Sequence, residues 1–194
     1  EIMGVVVRQT IKGTIMNYLG VLVGFVTTFF IVTKYLTTEE VGLTRVLVDA
    51  SILLSSLAQL GTSTSAMRYY PHFKDEKEKD HGFFGWSVII PLVGFVFFTI
   101  LFLVFKKPIE NYFSQNSELF VSYIYFVIPM AFFMMYLLVF ETNSNLLMRI
   151  VIPKFIREVG IRLMTLAVYL LYAFDILNLD GMVIALCATY GIAT

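Results

Sequence analysis

Charge is what this sequence has least of. Asp, Glu, Lys and Arg make up 14% of its 194 residues, where a soluble domain carries about 25%. With 58% of the residues hydrophobic, the chain has more apolar surface than one folded core can hide from water. That excludes an ordinary soluble globular protein and points to lipid. Cysteine is nearly missing: Cys187 stands alone inside an apolar run, so no internal disulfide and no local cysteine metal motif can form. Histidine is limited to His72 and His81, on either side of a charge run of mixed sign, a pattern that argues for a solvated turn over a metal site. There is no nucleophile–base pattern, no carboxylate pair at motif spacing and no phosphate-binding glycine loop. No catalytic residue, cofactor, metal or nucleic acid partner is expected.

What the sequence does have is aromatics, 19 Phe and 11 Tyr, and long stretches with few charges. Crossing a hydrocarbon core of about 30 Å takes about 20 apolar residues in a helix. Stretches of that kind lie near residues 14–34, 43–67, 82–105, 119–140 and 158–175. The fifth carries Arg162 about one turn from its start, where a long side chain can snorkel to the headgroups. A sixth stretch, 181–194, reaches only about 21 Å at 1.5 Å per residue. The expected fold is all-α, a polytopic transmembrane bundle of six spans with the sixth cut short, and the chain reads as a fragment whose first span is a retained anchor and not a signal peptide.

Cytoplasmic loops are enriched in Lys and Arg. The N-terminus, the loop after the second span, and the loop after the fourth with the start of the fifth hold Arg8, Lys12, Arg68, Lys74, Lys77, Lys79, Arg149, Lys154, Arg157 and Arg162, against Lys34, Arg45, Lys106 and Lys107 on the other side. This asymmetry places the N-terminus in the cytoplasm. Tyr35, Tyr69, Tyr70, Trp86, Tyr112 and Tyr172 fall near span ends, as interfacial anchors do. Residues 144–158 mix Leu146, Leu147, Ile150 and Val151 with Arg149, Lys154 and Arg157, the composition of an interfacial amphipathic helix, with Pro153 as its interruption or restart.

Polar residues inside spans are expensive and become functional candidates. Arg45 and Asp49 are four residues apart, within salt-bridge reach on a helix; stepping along that face gives Ile52, Ser56, Gln59 and Ser63. Two readings stand: an ion pair tying the second span to a neighbour, or the lining of a cavity. Asn17, Gly20, Gly24 and Thr27 or Thr28 form a second line, in which Gly20 and Gly24 make a GxxxG pattern that lets backbones approach in lipid. Asn17 is placed to face the same space as the second span. Pro91 and Pro129 are expected to bend the third and fourth spans.

The run Tyr35-Leu36-Thr37-Thr38-Glu39-Glu40-Val41-Gly42-Leu43, with Leu60-Gly61 and Ala66-Met67-Arg68-Tyr69 beyond it, resembles the Wzx-type polysaccharide-biosynthesis flippases of the multidrug/oligosaccharidyl-lipid/polysaccharide exporter superfamily. Val41 stands where an aromatic is usual. The basic stretch from Leu146 to Arg157 is similar to the cytoplasmic helix that such proteins carry between spans four and five. The resemblance implies two lobes of six spans around an alternately opening cavity, with this chain as the first lobe and the missing C-terminal lobe as its partner. It further implies a bacterial inner membrane, a polyprenyl-diphosphate-linked oligosaccharide as substrate, membrane lipids as surroundings, and a cationic lining. Arg45, Arg8 and Lys12 are the matching cations, with Asp49, Gln59 and Asn17 as further candidate contacts. Competing readings are a drug or cation exporter of the same superfamily, a membrane-embedded transferase, and a non-transporting scaffold.

In a Cys187→Ser background, Lys107→Cys is expected to react with an impermeant thiol reagent in intact cells and Lys77→Cys only after permeabilisation. The reverse pattern would overturn the orientation.

Overall fold

The computed structural model describes residues 2–73, 82–114, 118–147 and 150–194, and only the backbone of 2–9, 114 and 118. Residues 74–80, His81 and Arg149 lie outside the described residues, as does the side chain of Arg8. Every regular element among the described residues is helical. Four stretches are long and apolar enough to cross a membrane: Thr10–Tyr35, Thr38–Phe73, Phe83–Val104 and Leu119–Leu146. This is a multi-pass helical membrane protein.

Helix α1 (Ile2–Val26) runs without a break into a π-helical turn, Thr27–Val32, and then α2 (Thr33–Tyr35). The chain turns at Leu36, which is extended, because Thr37 and Glu40 form a capping box. The Thr37 amide donates to Glu40 Oε2 at 2.8 Å and the Glu40 amide to Thr37 Oγ1 at 3.3 Å, so two amides without helical acceptors are satisfied reciprocally. This starts α3 (Thr38–Ala58). The second span is not one continuous α-helix. After Ala58 the backbone turns left-handed at Leu60 (φ 50°) and Gly61 (φ 73°), and α4 (Thr62–Phe73) begins beyond.

The break coincides with a close crossing by α5 (Phe83–Val104). A Cβ added to Gly94 would sit 2.1 Å from the Ala58 carbonyl oxygen, so only glycine admits α5 at this point. The expected proline in α5 is found as a buried Pro91. Pro129 differs from the expectation. After α6 (Lys106–Ser114) and α7 (Glu118–Tyr123), a 3₁₀ turn, Ile124–Phe126, leads into α8 (Val127–Leu146). Pro129 is the third residue of α8, and the departure from α geometry comes before it.

The core lies between α3, α5, α7, α8 and α11. Leu43, Leu47 and Leu54 meet Phe95, Phe120, Ile124, Met130, Met134, Val183 and Cys187 there. Ser51, fully buried at the same place, donates from Oγ to the carbonyls of Leu47 (2.7 Å) and Val127 (3.3 Å), so a polar group between α3 and α8 is satisfied as burial demands.

Residues 144–158 are not a separate interfacial helix. Residues 144–146 finish α8, while α9 (Val151–Phe155) continues through a second π turn, Ile156–Gly160, into α10 (Ile161–Ala173). Pro153 is accommodated as the third residue of α9, inside the first turn, where a missing amide costs little. The composite helix 151–173 runs parallel to α1 along its length. Gly13 faces Lys154, Gly20 faces Glu158 and Gly24 faces Arg162, and Leu36 packs with Val168. Helix α11 (Leu179–Ala193) runs parallel to α7 and α8: Tyr123 Oη donates to Asp180 Oδ1 at one end, and Thr194 Oγ1 donates to the Phe133 carbonyl at 3.0 Å further along. The end holding the turn at 36–37 is tied across by Tyr172 Oη, which donates to Glu40 Oε1 at 2.5 Å.

The crossing at Gly94 gives a direct test. Gly94→Leu is expected to lose about 3 kcal/mol or more of stability, since overpacking against backbone cannot be relieved by a rotamer change. Gly42→Ala, where an added Cβ meets nothing within 4 Å, should leave stability unchanged or raise it by about 0.5 kcal/mol. Thermal loss of the monomer peak in detergent measures both, and equal melting of the two variants would show that the crossing carries no strain.

Candidate functional site

Two irregular helical turns shape a cavity that gathers cations. The π turn Thr27–Val32 opens α1 on its inner side, and the π turn Ile156–Gly160 does the same for the helix beside it. Between them, closed off by α3, α8 and α11, lies a cavity of about 580 Å³. Gly24, Thr27 and Thr28 line it from the first helix, and Thr44, Arg45 and Ser55 from α3. Arg157, Arg162, Thr165 and Tyr169 line it from the composite helix, and Tyr190 from α11. Its lining contains three guanidinium groups and no Asp or Glu.

Arg157 and Arg162 share this cavity because of the π turn. In a regular α-helix, residues five apart point about 140° away from each other, at about 100° per residue. A π turn closes its hydrogen bonds from i to i+5 and brings such residues back to one face. The same widening lets Thr27 and Val32, also five apart, both face the cavity.

The GxxxG pair is what lets Arg162 in. A Cβ on Gly20 would lie 2.4 Å from the Glu158 carbonyl oxygen, and one on Gly24 would lie 3.0 Å from Arg162 Nη1. With glycine at both positions the π turn seats directly on α1. Arg162 Nη1 then donates to the Gly20 carbonyl at 2.8 Å. The packing role expected for these glycines is realised against a turn carrying charge.

Two carboxylates stand behind the arginines. Arg157 Nη1 pairs with Glu141 Oε2 at 2.8 Å, and Arg157 Nη2 with Glu158 Oε1 at 3.2 Å. Arg162 Nη2 reaches Glu158 Oε2 at 3.4 Å. Glu141 and Glu158 are 14% and 19% exposed, and neither lines the cavity. The two arginines are thus compensated in a chain running from α8 through the π turn to the backbone of α1.

Arg45 is arranged differently. The expected Arg45–Asp49 ion pair is not among the ion pairs of the described residues. Arg45 faces the cavity beside Tyr169, with Thr44 next to it. Asp49 lies about 40° further around α3 by helical geometry, beyond the exposed ridge of Ser56. There it borders a second, largely apolar cavity of about 510 Å³ with Val46, Leu53, Leu57, Phe98 and Phe102. Arg45 and Asp49 therefore border different clefts.

The remaining candidates are elsewhere. Gln59 is buried at the α3–α4 break, where its Oε1 accepts from Ser63 Oγ at 2.6 Å and its carbonyl accepts from the Thr62 hydroxyl; it holds the break together. Asn17 and Lys12 are exposed on α1, outside the cavity lining. Of the candidate side chains that are described, Arg45 alone lines the cavity. Arg157 and Arg162 complete it, and both looked like loop or headgroup cations in the sequence. Their five-residue spacing is the signal that pairs them, and it becomes readable only once the π turn is known.

No curated protein and no solved structure matches the chain. The pattern of one family does, over residues 6–193, which is nearly the whole sequence and takes in α3, the π turns and every arginine of the cavity. The chain belongs to the polysaccharide biosynthesis protein family.

Proposed function

We propose that this protein, together with a second lobe, carries a polyprenyl-diphosphate-linked oligosaccharide across a bacterial inner membrane by alternating access. The observation that supports this reading is the cavity with three guanidiniums and no carboxylate in its lining. A diphosphate leaving water must have its charge compensated, because an unpaired buried charge is prohibitively costly. Guanidinium meets that need, since it stays charged in any protein setting and offers phosphate a bidentate fork. Arg45 is the cation of the cavity with no carboxylate partner among the described residues, so it is the first contact for the diphosphate. The cavity volume of about 580 Å³ fits a headgroup, with the lipid tail left to the bilayer.

The same lining disfavours export of cationic drugs, which it would repel. Transport breaks no covalent bond, so the role is one of binding and release and no catalytic group is assigned. Six crossings with a cytoplasmic N-terminus complete the reading. It is supported by the parallel run of α1 and the 151–173 helix, and by the excess of Lys and Arg in segments that alternate with the Glu40–Tyr172 end.

Polysaccharide export in a flippase-null strain, normalised to membrane protein level, tests the role of Arg45. In the full-length protein, Arg45→Ala is expected to remove at least about tenfold of export, the scale of one lost charge-assisted contact. Arg45→Lys should retain part of it, since the charge stays and the fork is lost. An Arg45→Ala protein that is abundant and fully active would sink the substrate-contact role. Residues 1–194 expressed alone should not rescue export, because alternating access needs a second lobe to rock against; rescue without it would end the two-lobe reading.

A further inference from the structure

We infer that Glu158 is an exchangeable counter-ion of the cavity, holding Arg157 and Arg162 until an anionic headgroup takes its place, while Glu141 is the fixed anchor of Arg157. The inference rests on the transport reading above and names how its site is regulated. Its basis is the unequal geometry of the two carboxylates. Glu141 meets Arg157 Nη1 at 2.8 Å, within the range of about 2.7–2.9 Å usual for a charge-assisted hydrogen bond. Glu158 is stretched between two guanidiniums, at 3.2 and 3.3 Å from Arg157 Nη2 and Nε and at 3.4 Å from Arg162 Nη2. Each of its three contacts is longer than that range.

One carboxylate shared by two cations at these distances compensates both and binds neither tightly. It also sits on the π turn, where the helical hydrogen bonds depart from the α pattern. The three guanidiniums of the cavity and the two carboxylates behind them sum to one formal positive charge. That is enough to attract an anion and too little to neutralise a diphosphate. When a phosphate group reaches Arg157 and Arg162, it offers each a better partner than Glu158 does. Glu158 then gives up both contacts, and three guanidiniums face the headgroup with Glu141 still aligning Arg157. On release, Glu158 recovers both arginines, so neither Arg157 nor Arg162 is left without a carboxylate. The carboxylate lowers affinity and makes release possible.

Direct binding separates this from a purely structural ion pair. The full-length protein in nanodiscs is titrated calorimetrically with a short isoprenyl diphosphate, and with inorganic diphosphate as a control for the headgroup alone. Glu158→Gln is expected to bind the isoprenyl diphosphate about tenfold more tightly, because the like charge that competes for the same two guanidiniums is gone, and to export less polysaccharide because release is slowed. Glu141→Gln should bind more weakly, because Arg157 loses its anchor. Arg45→Ala should also bind more weakly. If Glu158→Gln does not survive extraction, Glu158→Asp replaces it. Its shorter side chain can reach one guanidinium but not both, so a smaller tightening is expected. Weaker or unchanged binding in the Glu158 variant that folds, with Arg45→Ala still impaired, would overturn the exchange and leave the transport site standing. Equal affinity in wild type and Arg45→Ala would remove the diphosphate site itself.

Discussion

The seating of the π turn Ile156–Gly160 on Gly20, with Arg162 of α10 against Gly24, is the contact on which the rest depends. At that point α1 and the composite helix are separated by less than a methyl group would allow. In lipid there is no hydrophobic drive between helices, so such close approach relies on dispersion and on polar contacts formed across it. Here the polar contact is Arg162 to the Gly20 carbonyl. Removing the glycines would push the turn away, withdraw Arg162 from α1 and open the charge chain to Glu158 and Glu141. The place of Arg162 in the cavity follows from that one backbone contact.

The electrostatics follow from where each cation sits. Arg157 and Arg162 leave the π turn in the middle of a helix that runs beside the first candidate span, where an unpaired charge is costly, and both have carboxylate partners. Arg45 lies within two turns of the capped start of α3 and is exposed. An arginine near a span end can reach headgroups or water with a long side chain and needs no internal partner. The cavity therefore holds two kinds of cation, compensated ones toward its middle and an uncompensated one toward the Glu40–Tyr172 end.

Rigid and adaptable parts are segregated as well. Ser51 and the leucines of α3 lock against α7, α8 and α11, and Gly94 locks α5 against the α3–α4 break. On the other side of α3, the cavity is bounded by two π turns, a sheath of threonines, and tyrosines from α10 and α11. Short-range rearrangement is least costly where the helical hydrogen bonds are already irregular. The capping box at Thr37 and Glu40, joined to Tyr172, holds that end of α3 to α10 while the cavity between them stays open.

The periodic and compositional features were legible in the sequence alone. Long apolar runs, few charges and the Gly20–Gly24 spacing are local properties, and they led to a helical membrane protein with a close helix contact on α1. Arg45 stood out as a charge inside a span, and the structure places it on a cavity wall. What only the tertiary structure decided is how irregular turns rotate side chains. An α-helical step of 100° per residue sent Arg157 and Arg162 to different faces and joined Arg45 to Asp49, Gln59 and Ser63 on one. The π turn reunited the first pair. In the second set Arg45 and Asp49 border different clefts, while Gln59 and Ser63 pair with each other at the left-handed break. Glu158 of the π turn sits against Gly20 of α1, 138 positions away in the chain. No local pattern encodes that, because the energy that holds the turn comes from the neighbour it touches.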